Sequence, residues 1–367
     1  MRRLIYIFII GLLLCSYTWA DGSRYASKSL LSEGKWVKIR VDKTGIYKLS
    51  YADLKNMGFS DPSKVSVHGY GGWPLDEDFS KEYIDDVPST PVWRGSDYLL
   101  FYGKGPVKWE YDSSSQTFVH TNNPYSLYGY YFVTDATPTN DMTSVAQASG
   151  ATNRITTYDD YLVHEQELVS LAKSGRELYG EDFSGATPRT LSTFSSIPGI
   201  TNEDAKVTMS FVSKVTSGTG VASLSINQSN VLDVSIRSNR EEYVKALEGV
   251  STAVWKGEKS EKNSVVVSYN SASHNNVRLN YVRLHFKRTL QPYGAYTFFR
   301  SIASIGNVSR FVVQGANANT LVFDVTDAQR VRLMETELNG SELTFSIPAG
   351  TLREFVLVRT RSEEHTS

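Results

Sequence analysis

The feature that most limits the fold is a succession of short apolar–polar alternations, each closed off by turn residues. From about residue 190 onward the stretches 207–212, 222–226, 231–236, 265–269, 278–286, 310–313, 320–325 and 342–347 repeat this pattern. Gly218-Thr219-Gly220, Asn275-Asn276 and Asn339-Gly340 punctuate them. A two-residue period sends successive side chains to opposite faces, so each stretch reads as a strand. Many such strands in a row predict an antiparallel β-sandwich-like domain over 191–360. No repeat with a period of roughly 20–50 residues is evident, which argues against a solenoid or a propeller.

The front half carries the same signal with more turns. Val37, Ile39 and Val41 alternate with Lys38 and Arg40, a strand with one wet face. Lys43-Thr44-Gly45 reads as a turn and Ile46-Tyr47-Lys48-Leu49 as the returning strand of a hairpin. Ser50 then suits the cap of a short helix over 51–57, with Asp53 at its positive end and Gly58 as its stop. Val65 and Val67 lead into the Gly69-Tyr70-Gly71-Gly72 turn, and 98–102 reads as a buried strand closed by Gly103-Lys104-Gly105-Pro106. The stretches 108–111 and 117–120 fit a hairpin. These elements predict an N-terminal β-rich domain over 21–150, with the polar stretch 135–157 near its boundary. Leu162, Leu168, Leu171 and Ala172, ahead of Gly175, predict a short helix in a connector over 151–190. The expected class is therefore mainly β, with a short helix, a helical connector and a sandwich.

Both ends stand apart from the fold. Arg2 and Arg3, the apolar run 4–14 and Thr18-Trp19-Ala20 have the three parts of a secretory signal peptide, 1–20. The run is too short for a membrane span, which needs about 20 residues. Cleavage is expected between Ala20 and Asp21. Lipidation at Cys15 would need a small residue before it, and Leu14 stands there. The sole cysteine, Cys15, then leaves with the signal, and no disulfide, Cys-based zinc site or Cys-x-x-Cys pair is expected. At the other end, Arg361-Ser362-Glu363-Glu364-His365-Thr366-Ser367 is the translation of a common short-read sequencing adapter. Residues 361–367 are expected to be an artefact, with the natural gene running on past Thr360.

No chemistry assembles from local motifs. The 38 Lys and Arg against 39 Asp and Glu leave no basic excess for nucleic acid. There is no Gly-x-Ser-x-Gly elbow, no Walker loop and no Gly-x-Gly-x-x-Gly opening a helix. His68, His120, His164, His274 and His285 fall in no metal-ligand spacing, so no catalytic, cofactor-binding or metal residue is assigned and no cofactor is expected. The acidic stretch 76–86 lacks the spacing of a calcium loop and reads as a solvated loop. Glu110 and Asp112 are a carboxylate pair of the kind used in glycoside chemistry, with a separation that sequence does not reveal. The aromatic row Tyr125, Tyr128, Tyr130, Tyr131 and Phe132 reads first as strand packing and second as a stacking surface.

Several passages together resemble one family. They are Trp36-Val37-Lys38-Ile39 with Thr44-Gly45-Ile46-Tyr47-Lys48-Leu49, Val67-His68-Gly69-Tyr70-Gly71-Gly72, and Leu100-Phe101-Tyr102-Gly103-Lys104-Gly105-Pro106 with Trp109 and Tyr111. Asn123-Pro124-Tyr125-Ser126 with Tyr130-Tyr131-Phe132, Ser174-Gly175-Arg176-Glu177 with Gly180-Glu181, and Phe323-Asp324-Val325-Thr326 belong with them. In this order they resemble the N-terminal region of the gingipain-like C25 cysteine peptidases that act as sortases in type IX secretion. The resemblance implies a β-rich region preceding a caspase-like domain whose His and Cys do the chemistry, at the outer-membrane surface. It implies other type IX components, cargo C-terminal domains and the downstream catalytic domain as partners. It implies removal of those sorting domains and attachment of cargo to anionic lipopolysaccharide. No His–Cys pair matching the family's is present, so no catalytic residue carries over. Two other readings compete with it. One is a surface adhesin or carbohydrate-binding module, for which 22 Tyr, 16 Phe and 6 Trp supply ring faces, Trp73 and Trp109 among them. The other is an inhibitory prosegment of a gingipain-like protease.

Overall fold

The computed structural model describes residues 25–360 except 79, 82, 83, 174, 186, 272 and 273. The expected signal peptide with its Ala20–Asp21 cleavage point, and the 361–367 tail, lie outside the described residues. Within them the protein is mainly β, with one α-helix, α1 (Tyr51–Asn56), and a few 3-10 turns.

The strands assemble into stacked sheets. In sheet I, Val37–Val41 pairs antiparallel with Gly129–Thr134, followed by Ser66–Gly71 and Ser89–Thr90. In sheet II, Tyr98–Gly103 lies between Gly45–Ser50 and Val92–Arg94. Sheet III has nine strands, with Thr157–Glu165 near its middle between Tyr296–Arg300 and His274–Thr289. One wing of it continues through Ala205–Val215 to Leu247–Trp255, the other through Glu354–Arg359 and Thr320–Asp324. Sheet IV is built on Ser309–Val313 and Glu342–Ile347, and sheet V on Val265–Asn270, Thr219–Ile226 and Ser229–Arg237.

Burial shows why the stack forms. Leu99 and Phe101 face the core shared with Val41, Val67 and Val133 of sheet I. Tyr98, Leu100 and Tyr102 face the opposite way, onto Phe323, Val356 and Val358 of sheet III. On the far side of sheet III, Phe299 and Phe355 meet Phe311 and Phe345 of sheet IV, with ring centroids of Phe311 and Phe345 5.1 Å apart. A strand covered on both faces must be apolar at every position, which is why 98–102 lacks alternation. Sheet V closes the other wing over Phe211, Leu224, Val267 and Leu279.

The hairpin expected from Lys43-Thr44-Gly45 does not form. Val37–Val41 and Gly45–Ser50 enter different sheets, and the segment between them crosses from one layer to the next. Its shape is fixed from outside: the Tyr47 hydroxyl donates to the Lys43 carbonyl at 2.7 Å, and Gly105 N–H donates to the Thr44 hydroxyl at 3.1 Å. Two packed layers bury more apolar surface than a two-stranded ribbon would, and that decides the pairing. The expected helical connector is also corrected. Residues Thr157–Glu165 are a strand with partners on both edges, and no helix forms between 151 and 190 among the described residues. Tyr158, Tyr161 and Val163 favour a strand, and Leu168 ends up exposed instead of completing an apolar stripe.

The short helix forms as read. The Ser50 hydroxyl accepts from Asp53 N–H at 3.0 Å, Leu54 is fully buried, and Gly58 stops the chain at a φ of 89°. The 107–122 hairpin also forms, between Val107–Asp112 and Thr117–Asn122. It lies against sheet III, where Lys206 donates to the Ser115 carbonyl at 2.7 Å.

Candidate functional site

The crossover after Val41, the 107–122 hairpin and sheet III meet around a cavity of about 390 Å³. Sheet register builds its floor. Arg300 sits opposite Asp159 on one side and Glu354 on the other, so one strand triple brings Arg300, Asp160 and Glu354 together. Arg300 is 2% exposed and donates to the Asp159 carbonyl at 3.0 Å and to Glu354 at 2.6 Å. Its guanidinium lies over the Tyr161 ring at 4.4 Å, and Asp160 is 3.6 Å away. Burial opposes that charge, but Glu354, Tyr161 and Asp160 outweigh it and hold the guanidinium protonated. Asp160 is also paired with Arg288 at 2.9 Å.

Rings close the other side. Trp109 of the hairpin stacks on Tyr161 with centroids 4.0 Å apart and planes 18° apart. Trp73 lines the cavity too, so the two tryptophans singled out in the sequence converge on one place. The Trp73 indole N–H and the Arg300 Nε–H are buried with no hydrogen-bond partner among the described residues.

The remaining sequence candidates do not assemble into an enzyme centre. Glu110 pairs with Lys108 at 2.8 Å, and Asp112 caps the hairpin turn, its carboxyl held down at about 2 by Ser114 and Ser115. His68 contacts Ser66 at 3.3 Å and Thr137 at 2.8 Å, and Ser66 and His68 are too buried to meet a substrate. Burial pushes this imidazole down, towards its neutral form. His120 pairs with Glu165 at 2.9 Å and His285 with Asp159 at 3.0 Å. Burial would raise Asp159, but His285, Lys287 and the Ile302 N–H together hold it below the usual carboxylate range.

One hydrogen-bonded chain does have the order of nucleophile, base and orienting acid. The Thr193 hydroxyl is 2.9 Å from His164 Nδ1, and His164 Nε2 is 2.6 Å from Glu181. It ties the strand Thr157–Glu165 to the 3-10 turn Ser192–Phe194 and to the loop carrying Glu181. Local sequence gave no sign of it, because its members are far apart in the chain. The side chain of His274 lies outside the described residues. In the acidic stretch, Asp76 holds Lys81 and Asp86 accepts from the Leu30 N–H at 2.6 Å. No group of three or more His, Cys, Asp or Glu able to hold a metal occurs among the described residues. In the aromatic row Tyr131 is buried and accepts from Lys104 N–H at 2.8 Å, while Tyr125 is 81% exposed.

The fold and the site define a mainly β module of stacked sheets, with a half-open cavity between layers whose described lining residues form no assembled nucleophile. No protein-family model matches the chain, and no curated protein sequence matches it. Among solved structures it is similar to dimeric latent PorU from Porphyromonas gingivalis, at 30% identity and a TM-score of 0.85 over 92% of this chain. The chain spans about a third (33%) of that structure's length. It is a PorU-like N-terminal region. Likeness to BuGH86wt in complex with neoagarooctaose covers 70% of this chain and 32% of that one, with a TM-score of 0.21 and 10% identity, too low for a shared fold.

Proposed function

We propose that this chain is the non-catalytic N-terminal part of an exported, sortase-type cysteine endopeptidase of type IX secretion. The observation that carries the reading is the match to PorU along nearly the whole described chain. On this reading the stacked sheets are a rigid platform at the outer-membrane surface, and the His and Cys belong to a downstream catalytic domain of the same gene product. The whole enzyme removes C-terminal sorting domains from cargo and joins the cargo to surface lipopolysaccharide, in company with other type IX components. The platform's work is to hold the catalytic domain and present cargo to it.

The test is made in the host. Codons 25–360 are deleted in frame, with the signal sequence and the rest of the gene kept. Cargo is expected to accumulate with its sorting domain attached and to lose its lipopolysaccharide. Normal cargo processing in that strain would overturn the proposal. A second reading, an inhibitory prosegment, is favoured by one fact, that the similar structure is of a latent protein. It requires the added chain to inhibit the active peptidase in trans.

A further inference from the structure

We propose that the cavity between sheet III and the 107–122 hairpin binds a neutral, hydroxyl-rich ring of sugar size. The inference goes beyond the platform reading and stands or falls independently of what the rest of the gene product does. Four observations carry it.

First, the volume of about 390 Å³ falls at the small end of ligand sites, roughly 300–1,000 Å³. Second, the lining includes Trp73, Trp109, Tyr161, Tyr293 and Tyr296. Ring faces suit the C–H face of a sugar, and their polar tips suit its hydroxyls. Third, the buried charges of the floor are already matched within the protein. Asp160 is held by Arg288 at 2.9 Å and Glu354 by Arg300 at 2.6 Å, while Asp42 and Lys43 at the rim are exposed. A phosphate or carboxylate ligand seated on the floor would have to break one of these two pairs, and a neutral one would not. Fourth, two buried donors on lining residues lack partners, the Trp73 indole N–H and the Arg300 Nε–H. A buried donor left unpaired is costly, so acceptor oxygens are favoured there. A hydroxyl accepts a hydrogen bond from such a donor and donates one to the open lone pairs of Glu354 or Asp160.

The layers explain why the site has this composition. Sheet III supplies charges locked by register together with Tyr161 and Tyr296, the hairpin strand Val107–Asp112 adds Trp109, and the segment after Ser66–Gly71 adds Trp73. Arg300 serves as a fixed donor because the carboxylate and carbonyl on its other nitrogens prevent it from turning.

The test uses the full chain and saturation-transfer NMR, with calorimetry for affinities. The probes are glucose, galactose, mannose, N-acetylglucosamine, lactose and maltose, with glucuronic acid and inorganic phosphate as ionic counterparts. At least one neutral sugar is expected to receive saturation. Trp73→Phe, which keeps a ring and removes the donor, is expected to weaken binding roughly five- to tenfold at an unchanged melting temperature. Val107→Trp, which fills the cavity from a half-buried position, is expected to abolish binding, so the test survives if the first variant folds poorly. Silence from every neutral sugar would overturn the proposal. So would binding confined to the ionic probes, or binding unaltered in both variants.

Discussion

Arg300 and Glu354 form a pair whose two members are buried very unequally, and removing each should therefore have unequal consequences. The Arg300 side chain is 2% exposed and that of Glu354 32%. Arg300→Met leaves Glu354 with water at hand, and Asp160 keeps Arg288 at 2.9 Å, so the orphaned carboxylates are both cared for. The loss should fall at the low end for a broken buried pair, about 3 kcal/mol or less after solvent screening. Glu354→Leu strands a guanidinium in the interior with the Asp159 carbonyl at 3.0 Å, Asp160 at 3.6 Å and the Tyr161 ring at 4.4 Å, and no bonded carboxylate. Its cost should reach about 4–5 kcal/mol. The double variant removes both charges and should return to within about 2 kcal/mol of the parent, a coupling of several kcal/mol. Urea unfolding followed by tryptophan fluorescence measures all four proteins, with Trp109 beside the pair as reporter. Arg300→Met proving worse than Glu354→Leu, or two effects that simply add, would refute the assignment of this pair as the buried electrostatic centre of the cavity floor.

Two further predictions concern the stack. Phe345→Ala removes a fully buried ring that meets Phe311 at 5.1 Å and Phe355 at 5.1 Å, and should cost about 3–5 kcal/mol, read as a lowered urea midpoint. Asp324 is 2% exposed; burial would raise its carboxyl, but Thr326 and Arg353 outweigh burial and hold it below the usual range. Because its folded value is the lower one, its contribution is complete above the unfolded value of about 3.9 and is lost as pH falls through the folded value. Melting temperatures from pH 2 to 6 should therefore fall steeply at the acid end, and Asp324→Asn should start lower and flatten that limb.

How far the sequence discloses all this depends on how local each cause is. The helix cap at Ser50 and the 107–122 hairpin are made by neighbours in the chain, and both are legible. Strands with one wet face, such as Val37–Val41, are legible from alternation. Which strand pairs with which is not: Val37–Val41 and Gly45–Ser50 are adjacent in sequence yet enter different sheets, so a turn signal at 43–45 does not make a hairpin. Leu247–Trp255 hides because it is an edge strand with Val250 53% and Val254 42% exposed, the reverse of the usual pattern. The connector misled because a few leucines at loose helical spacing weighed more than the aromatic and branched residues between them. Trp73 and Trp109 were visible singly as ring faces. Their convergence with Asp160, Arg300 and Glu354 depends on the register of three strands distant in sequence, which no local pattern records.

On the proposed function, this PorU-like region serves a catalytic domain encoded with it. Reading the genomic locus beyond the Thr360 codon tests that directly. An open reading frame continuing into a gingipain-like domain with a His and a Cys placed as base and nucleophile is expected. A stop codon shortly after Thr360, or continuation into a domain without that pair, would contradict it.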